Sequence, residues 1–200
     1  DVSGRWGSPT LSTVFVNIDV LHPVIRDVAL DHVNTTLFIR PDYYNALEVR
    51  IARDDHIARG SFVRAVDYYK DTDDLKYIDF DFVTNLDVAE TARLFGSEGI
   101  ETVEPFVFAN PPSARIVGHV DGPASPRGRH RLVEIALKSS GDFYLYHFPL
   151  RDLTFHGTIR DDEIDRPSIQ VSFAQGQATG SANIAGPDNA RQLRFDCKLT

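Results

Sequence analysis

The sequence predicts an all-β fold: a mostly antiparallel sheet with one short helix near residues 87–95 and an internal repeat of about 120 residues. Three observations predict it. Apolar and polar residues alternate with a period of two along nearly the whole chain, and successive strand side chains point to opposite faces. Clusters of Asp, Asn and Pro break the alternation at short intervals, as hairpin turns require. Short phrases about 120 residues apart also match one another, which marks a repeat architecture.

Taken in order, Val14, Val16, Ile18 and Val20 alternate with Phe15, Asn17 and Asp19. Val33, Thr35, Leu37 and Ile39 alternate with His32, Asn34 and Thr36. Leu47, Val49 and Ile51 are expected to face one way, with Glu48 and Arg50 facing the other. The same rhythm runs through Ile78/Phe80/Phe82, Val133/Ile135/Leu137, Leu153/Phe155/Ile159, Ile169/Val171/Phe173 and Leu193/Phe195/Cys197/Leu199. One apolar face per strand belongs to antiparallel sheets wet on one side, and about a dozen strands are expected. Turns are expected at Arg40-Pro41-Asp42, Asp54-Asp55, Asp71–Asp74, Asn110-Pro111-Pro112 and Asp161-Asp162-Glu163. Val88–Phe95 reads as a helix, capped by Asn85 or Asp87 and followed by Gly96, because Leu86, Ala89, Leu94 and Phe95 fall near helical spacing. The acidic stretch Ser97–Glu104 reads as a surface loop.

The repeat pairs Ile57-Ala58-Arg59-Gly60-Ser61-Phe62 with Gln177-Ala178-Thr179-Gly180-Ser181-Ala182. At the same offset Leu30 meets Leu150, Val33 meets Leu153, Ile39 meets Ile159, Val49 meets Ile169 and Ile51 meets Val171. Upstream, Ser3–Pro9 resembles Val117–Pro123 at a shift of 114. The expected organisation is a first β-meander over residues 1–85, a helix and connector over 86–110, and a second meander over 111–200 on the same sheet.

Composition removes several function classes. With 200 residues the chain is long enough to bury a core without disulfide staples. Lys and Arg number 21 against 29 Asp and Glu, a net charge of −8, whereas nucleic-acid binding needs a local cationic surface. The one dense basic run, Arg127–Arg131, reads as a solvated turn. Cys197 is the sole cysteine and is expected to be an inert core thiol. No apolar run nears the ~20 residues of a membrane helix, so any membrane anchor is expected outside this chain. Beginning at Asp1 without methionine, the chain is expected to be processed or cut from a longer protein.

Catalytic and metal signatures are weak. None of the seven histidines forms the i, i+4 pair of a helical zinc site. His147 and His156 could approach across strands, but no third ligand accompanies them. The clusters Asp71/Asp73/Asp74 and Asp161/Asp162/Glu163/Asp165 depart from the calcium-loop motif and read as turns. Neither a G-x-S-x-G elbow nor a phosphate-cradling loop occurs. No enzyme activity, metal or cofactor is expected. The apolar strand face has two readings: the core of a sealed sandwich, or the inner face of a curved sheet in contact with lipid chains.

Three stretches carry a resemblance. Phe106–Gly118 (FVFANPPSARIVG), the opening Asp1–Gly7 (DVSGRWG) and Phe148–Gly157 (FPLRDLTFHG), with Leu86-Asp87 leading into the short helix, resemble the AsmA-like group of bacterial envelope proteins. The resemblance covers most of the chain, in rhythm and short phrases. It implies a periplasmic, non-enzymatic segment of a large protein held in the inner membrane. Its sheet would be a long taco-like groove, or an open sandwich, lined with apolar side chains. The implied role is to shield or conduct phospholipid acyl chains in outer-membrane lipid transport or assembly, with further repeats of the same polypeptide as neighbours. On that reading the lipid-facing strip comprises Val14, Val16, Ile18, Leu37, Ile39, Leu47, Val49, Ile51, Phe80, Phe82, Ile135, Leu137, Phe155, Ile159, Ile169, Val171 and Phe173. The alternative is a β-sandwich module binding glycans or a protein through Tyr43, Tyr44, Tyr68, Tyr69, Tyr144 and Tyr146.

Overall fold

A computed structural model describes residues 2–5, 8–67, 74–95, 103–161, 163–185 and 192–200. The first half contains β1 (Val2–Arg5), β2 (Ser8–Leu21), the small hairpin β3 (Val24–Ile25) and β4 (Val28–Ala29), β5 (His32–Arg40), β6 (Tyr43–Arg53), β7 (His56–Asp67) and β8 (Asp74–Thr84). Helix α1 (Val88–Phe95) and β9 (Phe106–Phe108) connect the halves. The second half contains β10 (Ser113–Asp121), β11 (Arg131–Lys138), β12 (Asp142–Leu145), β13 (Phe148–Arg160), β14 (Glu163–Phe173), β15 (Gly176–Ala185) and β16 (Gln192–Leu199).

Fourteen described strands form one open sheet, all pairs antiparallel, twelve of them in the order β1-β2-β5-β6-β7-β8-β10-β11-β13-β14-β15-β16. The sheet curves and does not close into a barrel. β9 and β12 form a side branch on β13, and β3–β4 stands apart. The alternation therefore builds a single meander, interrupted by the β3–β4 hairpin between β2 and β5, by α1 and β9 between β8 and β10, and by β12 between β11 and β13.

The two halves share their detailed register. The bounds of β6, raised by 120, are those of β14. Val49 stands opposite Gly60 and Ile169 opposite Gly180, and in both hairpins a bulge falls just before that pair, after Ala46 and after Arg166. The following turns keep the same left-handed residue, Asp54 at φ 48° and Ala174 at φ 49°. The upstream match at a shift of 114 fails, because Pro9 lies within β2 while Pro123 lies in the turn after β10.

Of the two acidic clusters, Asp161 is a turn residue as expected, whereas Asp74, Glu163 and Asp165 fall within strands β8 and β14. Asp31 Oδ2 accepts the Asp54 N–H at 2.6 Å, and Asp161 Oδ1 accepts the Arg131 N–H at 2.8 Å. That N–H is the main reason the Asp161 carboxyl is held below the usual carboxylate range. Arg127–His130 is exposed turn, as expected. Asp71, Asp73, Asp162, Gly96 and most of Ser97–Glu104 lie outside the described residues.

The helix has the expected bounds, and Asp87 is its cap: its Oδ1 accepts the Glu90 N–H at 3.0 Å. Asn85 instead pairs with β7, its Oδ1 accepting the Ile57 N–H at 2.7 Å. α1 packs on β4, and Leu86, Ala92, Val28 and Leu30 are buried in that region. A second small core holds Phe143, 1% exposed, stacked on Phe108 with ring centroids 5.3 Å apart.

These local cores are modest beside the sheet. The chain exposes 13314 Å², whereas a compact monomer of this mass exposes about 9,400 Å². A single layer has no partner to cover its faces. Cys197 corrects the sequence expectation: it is exposed, not a core thiol, because β16 is the outermost strand and the described residues form no second sheet over it.

Candidate functional site

Cross-strand register sorts the sheet into an apolar face and a polar face. One row of directly paired residues crosses eleven strands as Val16, Leu37, Ala46, Phe62, Phe80, Gly118, Val133, Ile159, Ile164, Ile184 and Leu193. A second row runs Val20, Val33, Ile51, Ala58, Thr84, Ala114, Leu137, Phe155, Ile169, Gly180 and Cys197. Between them lie Val49, Gly60, Phe82, Ile116, Ile135 and Gly157. Val14 pairs with Ile39, Ile18 with Thr35, Val171 with Ala178 and Phe173 with Gly176, all by alternation on the same face.

The glycines are where rings cross the rows. Phe80 lies over Gly118 and Phe82 over Gly60, so a Cβ at either glycine would collide with the ring. Small and large residues thereby interlock along one face without a covering layer.

The opposite face carries Asp19, Asn34, Arg50, Arg59, Val83, Arg115, Ala136, His156 and Ser168 in one row. Its charges are partly paired, as in Arg115 Nη2 to Asp81 Oδ2 at 2.8 Å and His32 to Asp19. His119 lies between two carboxylates, with Nδ1 2.5 Å from Asp79 Oδ1 and Nε2 3.2 Å from Asp121 Oδ2. The second contact is an attraction of charge, off the line of a hydrogen bond. The Asp79 hydrogen bond is the main cause that raises the His119 pKa.

All the expected strip residues except Leu47 share the apolar face. Leu47 is corrected: it pairs with Thr36, which pairs with Asn17, so it stands on the polar face and is 37% exposed. Glu48, at φ 51°, is the extra residue of the bulge, and one inserted residue breaks the strict alternation. Val20, Val33, Ala58, Phe62, Ala114, Ile116 and Val133 were absent from the expected strip yet share the face. The β10 alternation Ala114/Ile116/Gly118/Val120 was legible, but small residues made it weak.

Burial distinguishes this face from a core. Each strip residue on the apolar face retains partial exposure, and Val16 is 37% exposed. The buried apolar residues are Val28, Leu30, Leu86 and Ala92 near the helix, Phe143 and Leu153 on β12 and β13, Ala65 and Val66 toward the end of β7, and Ala58, which with Thr84 is buried within the second row. Among the described residues no group of three or more His, Cys, Asp or Glu could hold a metal ion. A polar pocket of about 250 Å³ beside the helix is lined by Arg53, Asp54, His56, Leu86, Asp87, Glu90 and Pro111, and Arg53 is ion-paired to Glu90 within it.

The described tyrosines of the expected set do not form one site. Tyr43 packs edge-to-face with Phe38, Tyr44 is on the apolar face, and Tyr144 and Tyr146 project from the β12 hairpin, 49% and 68% exposed. Tyr68 and Tyr69 lie outside the described residues. In comparisons with protein-family models, curated proteins and solved structures, nothing matches this chain.

Proposed function

We propose that the chain is a lipid-handling segment of a bacterial envelope protein, shielding or conducting acyl chains along the apolar face of its sheet. The observation that carries this reading is the pair of apolar rows crossing eleven strands of one open sheet, with no second large sheet among the described residues. Acyl chains gain about 0.8 kcal/mol per buried CH₂, so such a face holds a lipid tail without specific polar contacts. A continuous face also lets a tail slide, since each row presents the same chemistry from strand to strand.

The resemblance to the AsmA-like group supports the same reading and adds a periplasmic location, an anchor in the inner membrane outside this chain, and outer-membrane lipid transport as the process. No catalytic step is assigned. The alternative of a sandwich binding module called for two sheets sealing a core, and the described residues form one large open sheet.

The test is mass spectrometry of lipids extracted from the purified protein. Phospholipid should accompany the folded chain, and recovery should drop several-fold in a Val49→Asp, Ile169→Asp double variant. Protein free of lipid, or a variant with undiminished recovery, would count against the proposal.

A further inference from the structure

A tyrosine–arginine pair interrupts the chemistry of the apolar face. Beside the long rows, Ile39 pairs with Tyr44, Tyr44 with Arg64, and Arg64 with Ile78. Arg64 is half-buried, and its guanidinium lies 5.9 Å from the centre of the Tyr44 ring. Its neighbours on that face are Ile39, Phe62, Val66 and Ile78. Among the described residues no carboxylate pairs with it, and the nearby Asp42 is engaged by Arg40 at 3.6 Å.

A cation held against apolar neighbours without a counter-ion is costly, and the fold does not require one here. At the 120-residue offset the second half places Ile164 and Ile184 where the first places Tyr44 and Arg64, paired in the same way. The same backbone register therefore carries an isoleucine pair in the second half. Tyr44 and Arg64 also stand near the rim, close to the start of β6 and the end of β7, where a polar group reaches water while the rows lead inward.

Resting on the lipid reading above, we infer that Arg64 and Tyr44 form a headgroup site for an anionic amphiphile, a phosphate or carboxylate head whose acyl chains lie on the apolar rows. The guanidinium supplies charge and planar hydrogen-bond donors matched to either oxyanion. The phenol ring holds the guanidinium in place by cation–π contact and can donate from its hydroxyl.

The test uses the whole chain and tail-matched soluble probes in calorimetry: a short-chain phosphatidic acid, the diacylglycerol with the same chains, a fatty acid, and inorganic phosphate alone. The phosphatidic acid or the fatty acid should bind at least ~10-fold more tightly than the diacylglycerol, and inorganic phosphate should bind far more weakly. A Tyr44→Ile, Arg64→Ile variant, copying the second half, should lose that preference while keeping its affinity for diacylglycerol. Equal wild-type affinity for charged and neutral probes overturns the headgroup site and leaves the lipid reading standing. Binding of neither overturns both. Inorganic phosphate binding as tightly as the amphiphile makes this a free-anion site and overturns the inference. The comparison on wild-type protein decides the matter even if the variant does not fold.

Discussion

At the scale of single residues, His119 is the side chain whose protonation bears most directly on stability. It joins β10 to Asp79 on β8, across the junction between the two halves of the sheet. The Asp79 hydrogen bond, and then Asp121, raise its folded pKa above the usual 6.5 despite partial desolvation. A raised histidine pKa stabilises the folded state fully below about 6.5, and the contribution is lost as pH rises through the folded value. Asp121 has the opposite sign: the Ser125 hydroxyl is the main cause holding its pKa down, so its contribution disappears as pH falls through the depressed value. The thermal midpoint should therefore decline as pH rises from about 6.5 through the raised His119 value. The His119 part is small, since the pair is partly exposed and screened. His119→Gln should flatten this decline, and an unchanged profile would remove His119 as its cause.

At the scale of elements, the bulge in β6 decides which residues face lipid. Strict alternation puts Leu47 beside Val49 and Ile51, but Glu48 is inserted between paired positions and sends Leu47 to the polar face. Leu47→Thr should consequently change stability by less than about 0.5 kcal/mol and leave lipid recovery intact. A loss of lipid in that variant would place Leu47 back in the strip. The helix was legible because its signals are local, an Asp cap and a 3.6-residue apolar spacing. The bulge was not, since any residue can occupy one and its position is known only from the partner strand.

At the scale of the whole molecule, a one-layer sheet should respond to substitution differently in its two environments. Phe143→Ala empties a fully enclosed site and should cost about 3–5 kcal/mol. Val49→Asp places a carboxylate on a face open to water, so the domain should remain folded, with a loss of about 1 kcal/mol. Equilibrium denaturation of the two variants checks this, and complete unfolding by Val49→Asp would mean that the face is a closed core. By itself the sequence determined the antiparallel strands, the helix and its two candidate caps, and the 120-residue repeat anchored by Gly60 and Gly180. Each of these is written in local periodicity or in a recurring phrase. Only the tertiary structure decided that the strands form a single open layer, that Leu47 and Cys197 fall where they do, and that Arg64 stands among apolar residues. Those facts depend on which residues become neighbours across strands and on whether anything covers them. A period of two is the same for a sealed sandwich and an open groove, because it reports the two sides of a strand and not what lies beyond them.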